Sequence, residues 1–201
     1  MSEPQANTGS IVLIGPTGVG KSVVGRALAD ALGWKLIELD ELRSQWYPEF
    51  GLDPEVERRA MESGGLLELV AAWKPYELMS VERVMNENPT NAVIAFGGGQ
   101  SVYVDEQQIQ QAKAALEPAS RVILLLPSDH SDESGRILLD RLRHVPFVTR
   151  QPNPDDFLRT FTPILKMQLQ SESNRQLATE LIVAGHSSPE EIAQHILTTM
   201  E

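Results

Sequence analysis

Residues Gly15-Pro16-Thr17-Gly18-Val19-Gly20-Lys21-Ser22 carry three glycines and end on Lys-Ser. They follow directly on the apolar run Ile11-Val12-Leu13-Ile14. Such a loop can wrap an anion only if its backbone N–H groups turn inward, and glycine permits the dihedrals and the close approach this needs. From Lys21 to Leu32 apolar residues recur at helical spacing, at Val24, Ala27, Leu28, Ala31 and Leu32, and Gly33 stands where a helix-ending glycine belongs. A strand therefore leads in and a helix leads out, with the positive end of the helix dipole at the loop. The pattern is that of a P-loop. Lys21 supplies a charge for β- and γ-phosphates, Ser22 a hydroxyl for Mg²⁺, and Gly15 to Ser22 together the ATP-binding cradle.

The remaining pattern alternates strands with helices. Leu36 to Leu39, Ala92 to Phe96, Val122 to Leu126 and Leu181 to Ala184 read as further strands. Residues 41–62 read as partly helical, broken at Pro48 and Pro54, and Gly64-Gly65 as a turn. Leu66 to Asn86 reads as a long helix that Pro75 should kink or split. Residues 105–116 and Thr162 to Leu177 read as helices, and 128–160 as a lid or loop. Ser188, Pro189 and Glu191 spell a capping box that opens a last helix. The expected fold is α/β: a parallel sheet of these five strands, covered by helices on both faces, in a single domain over 1–201.

The chain has 201 residues, a net charge of −11 and no cysteine. Its acidity argues against a nucleic-acid partner and requires any ATP site to concentrate positive potential locally. Without cysteine there is no disulfide and no thiol nucleophile. Residues 1–9 read as a polar, flexible tail without a signal-peptide stretch, and no apolar run is long enough to span a membrane, so a cytoplasmic protein is expected. The four histidines show no metal-ligand spacing.

The sequence resembles the shikimate kinase family and, more broadly, the small-metabolite kinases of the nucleoside-monophosphate-kinase type. The resemblance rests on Gly15 to Ser22, on Val24-Gly25-Arg26-Ala27-Leu28-Ala29 with Leu32-Gly33, on Leu39-Asp40, on Gly97-Gly98-Gly99, and on Ala178 to Val183 with Ser188-Pro189-Glu190-Glu191. It implies a three-layer P-loop kinase fold with a five-stranded parallel sheet, an acceptor-binding helical segment at about 41–85 and a lid at about 128–160, with Mg²⁺-ATP as phosphoryl donor, a small-molecule hydroxyl as acceptor, and a monomer or weak homodimer. It also implies that Asp40 meets the acceptor hydroxyl and that Glu38, where the family usually has Asp, helps order Mg²⁺ beside Ser22. A carboxylate at Asp40 could take the acceptor proton. Its bland alternative is a helix cap ahead of Glu41-Leu42-Arg43. Gly97, Gly98 and Gly99 resemble the loop that touches the acceptor, with a plain strand-to-helix turn as the alternative. Ser134-Gly135-Arg136 resembles the lid arginine segment, so Arg136 is the first candidate to neutralise charge on the transferred group, with Arg141 and Arg143 as rivals.

The acceptor side departs from the family. Where the family has a Phe-Arg pair followed by Glu, this chain has Trp73-Lys74-Pro75-Tyr76-Glu77, and the stretch from Asp40 to Glu82 is longer than usual. The second acceptor arginine has lost its Arg-x-Pro-x-Tyr context, leaving Arg175 as the nearest candidate. Lysine does not reproduce the bidentate grip of arginine on a carboxylate. Lys74, Arg58 and Arg59 remain as acceptor-side cations, or as ordinary solvated helix charges. The leading expectation is an ATP-dependent kinase of a small metabolite alcohol with an altered acceptor site. The alternatives are a genuine shikimate kinase, an ATP-binding regulatory protein without transfer, and a nucleoside or nucleotide kinase.

Overall fold

The structure is a computed structural model that describes residues 9–200. The expected N-terminal tail therefore lies, except for Gly9, outside the described residues. Five strands form one parallel sheet: β1 (Ile11–Ile14), β2 (Lys35–Glu38), β3 (Ala92–Ala95), β4 (Arg121–Leu126) and β5 (Glu180–Val183), in the order β2-β3-β1-β4-β5. The register pairs Val12 of β1 with Ile94 on one side and Val122 on the other. β1 and β3 are buried along their whole length, as uninterrupted apolar runs demand when helices cover both faces. Because all strands point the same way, the residues that follow β2, β3 and β1 emerge side by side at one edge of the sheet. That edge is where open α/β sheets hold ligands.

The helices are α1 (Lys21–Leu32), α2 (Arg43–Glu49), α3 (Pro54–Glu87), α4 (Glu106–Leu116), α5 (Ser131–Leu142), α6 (Pro146–Thr149), α7 (Pro154–Leu169), α8 (Glu172–Leu177) and α9 (Pro189–Thr198). Against the sheet, α1 packs with α9, while α3 packs with α4 and α4 with α8. The ends of α1 and α9 are the ones the sequence spells out. Gly33 closes α1 in the left-handed region at φ 66°, and Ser188 with Glu191 forms a complete capping box on α9.

Three expectations need correction. Pro75 does not split its helix: the only non-helical dihedrals within α3 are at Gly65, at φ 66° and ψ −147°. Proline's fixed φ suits a helix, so it costs one hydrogen bond, whereas the Gly65 conformation reverses the chain direction. The reversal is visible in the side chains, because Trp73 Nε1 donates to Glu57 Oε1 at 2.8 Å. In a straight helix those residues would stand about 24 Å apart. Second, residues 128–160 are not loop but largely helix, in α5, α6 and the start of α7. Third, α7 begins at Pro154 rather than at Thr162, with Asn153 as its side-chain cap and Pro154 in the first turn. Among the described residues no helix is long and apolar enough to cross a membrane.

Candidate active site

The loop after β1 carries its glycines in the conformations the pattern requires, with φ of 136° at Gly15, 84° at Gly18 and 109° at Gly20. A Cβ on Gly15 would also lie 2.4 Å from the carbonyl oxygen of Leu125, so both dihedral and space forbid a side chain. α1 starts at Lys21 on the left-handed Gly20 and aims its N-terminus into the loop. Lys21 is buried, and its Nζ donates to the carbonyls of Gly15 at 2.8 Å and Pro16 at 2.9 Å. Burial lowers its pKa from 10.5 to about 8, against an opposing pull from nearby Asp40.

A phosphate at this ammonium favours its charged form, so ATP binding draws in a proton once the free lysine begins to lose it. The expected result is ATP affinity that is insensitive to this group below about pH 8 and weakens above it, with net proton uptake at pH 8.5. Calorimetric titrations of ATP in two buffers of different ionisation enthalpy measure this. Equal heats in the two buffers at that pH would contradict it.

Asp40 leaves the end of β2 and is exposed, but Arg43 Nη2 holds its Oδ1 at 2.5 Å. It does not cap α2, whose N-cap is Leu42 without a side-chain bond. The triple glycine after β3 lets three loops close together. A Cβ on Gly97 would lie 2.8 Å from Asp40 Oδ1, one on Gly98 2.2 Å from Thr17 Oγ1, and one on Gly99 2.7 Å from Glu77 Oε1. A turn alone would not need glycine at all three positions. Gly98→Ala should therefore push the phosphate loop out of place and lower kcat/KM for ATP by about a hundredfold, a misplacement effect measurable by steady-state ADP release.

On the acceptor side, Glu77 from the second half of α3 lines the wall, and Lys74 stands behind it as its ion-pair partner. The lysine Nζ donates to Glu77 Oε2 at 2.6 Å and to the Gly99 carbonyl at 2.8 Å. Both side chains are largely buried, and burial pushes the Glu77 carboxyl up while Lys74 pulls it back. Arg43 stacks on Trp73, its guanidinium carbon 4.6 Å from the ring centroid. A cavity of about 370 Å³ runs between these groups, with Thr17, Asp40, Gly98 and Gly99 at its polar end and Trp73, Phe157 and Phe161 among its apolar walls.

Glu38 accepts from Arg26 Nη2 at 3.2 Å. Arg26 lies one turn beyond Ser22 on α1, so Glu38 is held along the helix face that carries the Ser22 hydroxyl. A hydroxyl and one carboxylate beside nucleotide phosphates fit the oxygen donor set of Mg²⁺, which usually takes one or two carboxylates in such sites. Among the described residues no cluster of three or more acidic, histidine or cysteine side chains offers a self-contained metal site.

The lid arginines divide. Arg136 is exposed on α5 and has no hydrogen bond or ion pair among the described residues, and Arg143 pairs with Asp155 at 2.7 Å. Arg141 instead reaches the phosphate loop, its Nη1 3.3 Å from the Val19 carbonyl. Arg175 is exposed on α8 and does not line the cavity, and Arg58 and Arg59 pair with Glu55 on the outer half of α3.

Sequence reasoning missed Gln168 and the phenylalanines. Gln168 Oε1 accepts from the backbone N–H of Thr17 at 2.9 Å, tying α7 to the phosphate loop. Its signal was a polar residue on the apolar stripe of Ile164, Leu165 and Leu169. Phe157 and Phe161, one turn apart, stack at 5.9 Å and 15°, and Phe147 meets both edge-on.

No family model matches the chain. It is 28% identical over 193 residues to a shikimate kinase of Thermobifida fusca, covering 92% of this chain and 91% of that one. It is 28% identical over 196 residues to a shikimate kinase of Pseudomonas aeruginosa, covering 94% of each. Among solved structures, the shikimate kinase of Acinetobacter baumannii in complex with shikimate superposes with a TM-score of 0.60 at 22% identity, over 97% of this chain and 94% of that one. A gluconokinase of Sinorhizobium meliloti does so with a TM-score of 0.57 at 21% identity, over 98% and 93%. At these identities the solved structures speak for the fold. With the sequence likenesses and the phosphate loop, the chain is a shikimate-kinase-like P-loop protein, an ATP-dependent kinase of small molecules.

Proposed function

We propose that the protein transfers the γ-phosphate of Mg²⁺-ATP to a hydroxyl of a small metabolite, and that its acceptor site differs from that of the shikimate kinases it resembles. The supporting observation is one cavity whose polar end joins Thr17 of the phosphate loop, Asp40 after β2 and the triple glycine after β3. In this reading the acceptor oxygen bonds to the γ-phosphorus as the bond to ADP breaks. The hydroxyl proton passes to the Asp40 carboxylate, which Arg43 holds in place. Lys21 and Arg141 face the charge on the transferred group, a role in which Arg141 is favoured over Arg136 by its contact with the loop. Ser22 and Glu38 would hold Mg²⁺, which would supply neutralisation of phosphate charge when bound. Gln168 fixes the loop amide at Thr17.

The test is ADP release from Mg²⁺-ATP by the purified protein over a panel of cyclic hydroxy acids, cyclitols, sugars and nucleosides. Acceptor-stimulated release is expected, with Asp40→Asn lowering kcat by about a hundredfold or more while the Kd for ATP changes little. ATP binding without stimulation by any acceptor would favour a nucleotide-dependent regulatory protein.

A further inference from the structure

The charges on the acceptor wall are already spent on one another. Among the described residues lining the cavity the only cation is Arg43, which is bound to Asp40 at 2.5 Å and stacked on Trp73. Lys74, at the position next to Trp73, is bound to Glu77 at 2.6 Å and to the Gly99 carbonyl at 2.8 Å. A carboxylate entering here would meet two carboxylates and no cation without a partner. Burying an anion without a free counter-charge is costly, and a lysine held by a buried glutamate does not offer the planar fork that grips a carboxylate.

Apart from Thr17, the two glycines and Gln168, whose Oε1 is engaged by the Thr17 amide, the rest of the wall is apolar, Leu66, Val70, Trp73, Phe147, Phe157 and Phe161 among it. Phe157 and Phe161 present a stacked pair, and Phe147 stays 43% exposed although it belongs to the same aromatic cluster. The cavity is thus polar where it meets Thr17 and Asp40 and greasy at its other end. A molecule that matches it has hydroxyls on one side and a ring face or apolar substituent on the other.

From this juxtaposition we infer that the acceptor is an uncharged hydroxyl compound bearing a ring, bound with its hydroxyl toward Asp40 and its apolar face on the phenylalanine cluster, and that the Lys74–Glu77 pair excludes ring acids. The inference rests on the kinase reading for the transfer step, but the charge selectivity of the cavity can be read without it.

The probes are shikimate and its methyl ester, which carry the same ring and hydroxyls and differ in charge. The primary readout is binding, by calorimetry on the intact protein with a non-hydrolysable ATP analogue present. The ester is expected to bind at least about tenfold more tightly than the acid, the difference that about 1.4 kcal/mol makes. Glu77→Gln, which releases Lys74, should shift the acid-to-ester preference about tenfold toward the acid. Acceptor-dependent ADP release with the same pair gives the second readout. Tighter binding of the ester without turnover would support the cavity assignment and count against the kinase reading alone. Tighter binding of the acid, or no difference between the probes, including no binding of either, would overturn the inference while leaving the kinase reading to the wider panel. An unchanged preference in Glu77→Gln would overturn the role given to the Lys74–Glu77 pair.

Discussion

Lys21→Ala is expected to lower kcat/KM for ATP by about a thousandfold, the range seen when one preorganised donor to a developing negative charge is removed. The ammonium already lies within the loop, held at 2.8 Å and 2.9 Å by two loop carbonyls, so little reorganisation is needed when phosphate arrives. Its loss should leave the fold nearly as stable as before. A buried ammonium whose pKa has fallen to about 8 is paying a desolvation cost that alanine does not. The variant should therefore melt close to the parent and fail in catalysis. Lys21→Arg should not rescue it, because the guanidinium is larger and planar where the loop accommodates a compact ammonium. Steady-state ADP release and thermal unfolding, measured on the same preparations, decide the matter. A variant within tenfold of the parent would remove Lys21 from the site.

The second large effect concerns stability. Lys74→Ala leaves the Glu77 carboxylate in the wall with its partner gone, and the expected loss is about 3–5 kcal/mol at pH 8. The pH dependence has a definite sign. Burial already holds the folded-state pKa of Glu77 above its ordinary value, and removing the lysine raises it further. An acid whose folded pKa exceeds its unfolded one binds more protons when folded, so its contribution to stability falls as pH rises through that range. The penalty should accordingly shrink at pH 5, where the buried carboxyl can take up a proton. Replacing both partners, Lys74→Met with Glu77→Leu, should recover most of the loss, since apolar side chains of similar size pay no desolvation. Urea unfolding of the three proteins at both pH values measures this. Equal losses in the single and double variants would mean that the two residues pack but do not pair.

The parts of the molecule that could be read in advance are those governed by local chemistry. The strand-loop-helix unit around Gly15 to Ser22, the glycine that ends α1 and the capping box of α9 each depend on residues within one turn of one another. Strands β1 and β3 were recognisable because they are buried on both faces and so have no polar positions. The acceptor side was not legible to the same degree. Its form depends on the reversal at Gly65, where a turn was expected but not its effect of bringing Trp73 back to Glu57. It depends also on α7, whose cap at Asn153 was hidden in a stretch that looked irregular because it is rich in proline and charge. Arg136 and Arg141 stand on the same short helix, and nothing in their spacing tells which one faces the phosphate loop. Only the packing of α5 brings Arg141 to Val19. Gln168 is distant in sequence from the loop it steadies, so no local pattern could have paired it with Thr17.

The reversal at Gly65 bears on how such a protein changes its diet. The span between Asp40 and Glu87 leaves the sheet, turns at Gly65 and returns along itself without contributing a strand. Residues can be added to or taken from it without disturbing the pairing of β2 with β3. The machinery that handles ATP is anchored in strands whose order tolerates no such editing. An arm of this kind can be lengthened, shortened or resurfaced to meet a different alcohol while the phosphate loop and the order of the strands that carry it stay as they are.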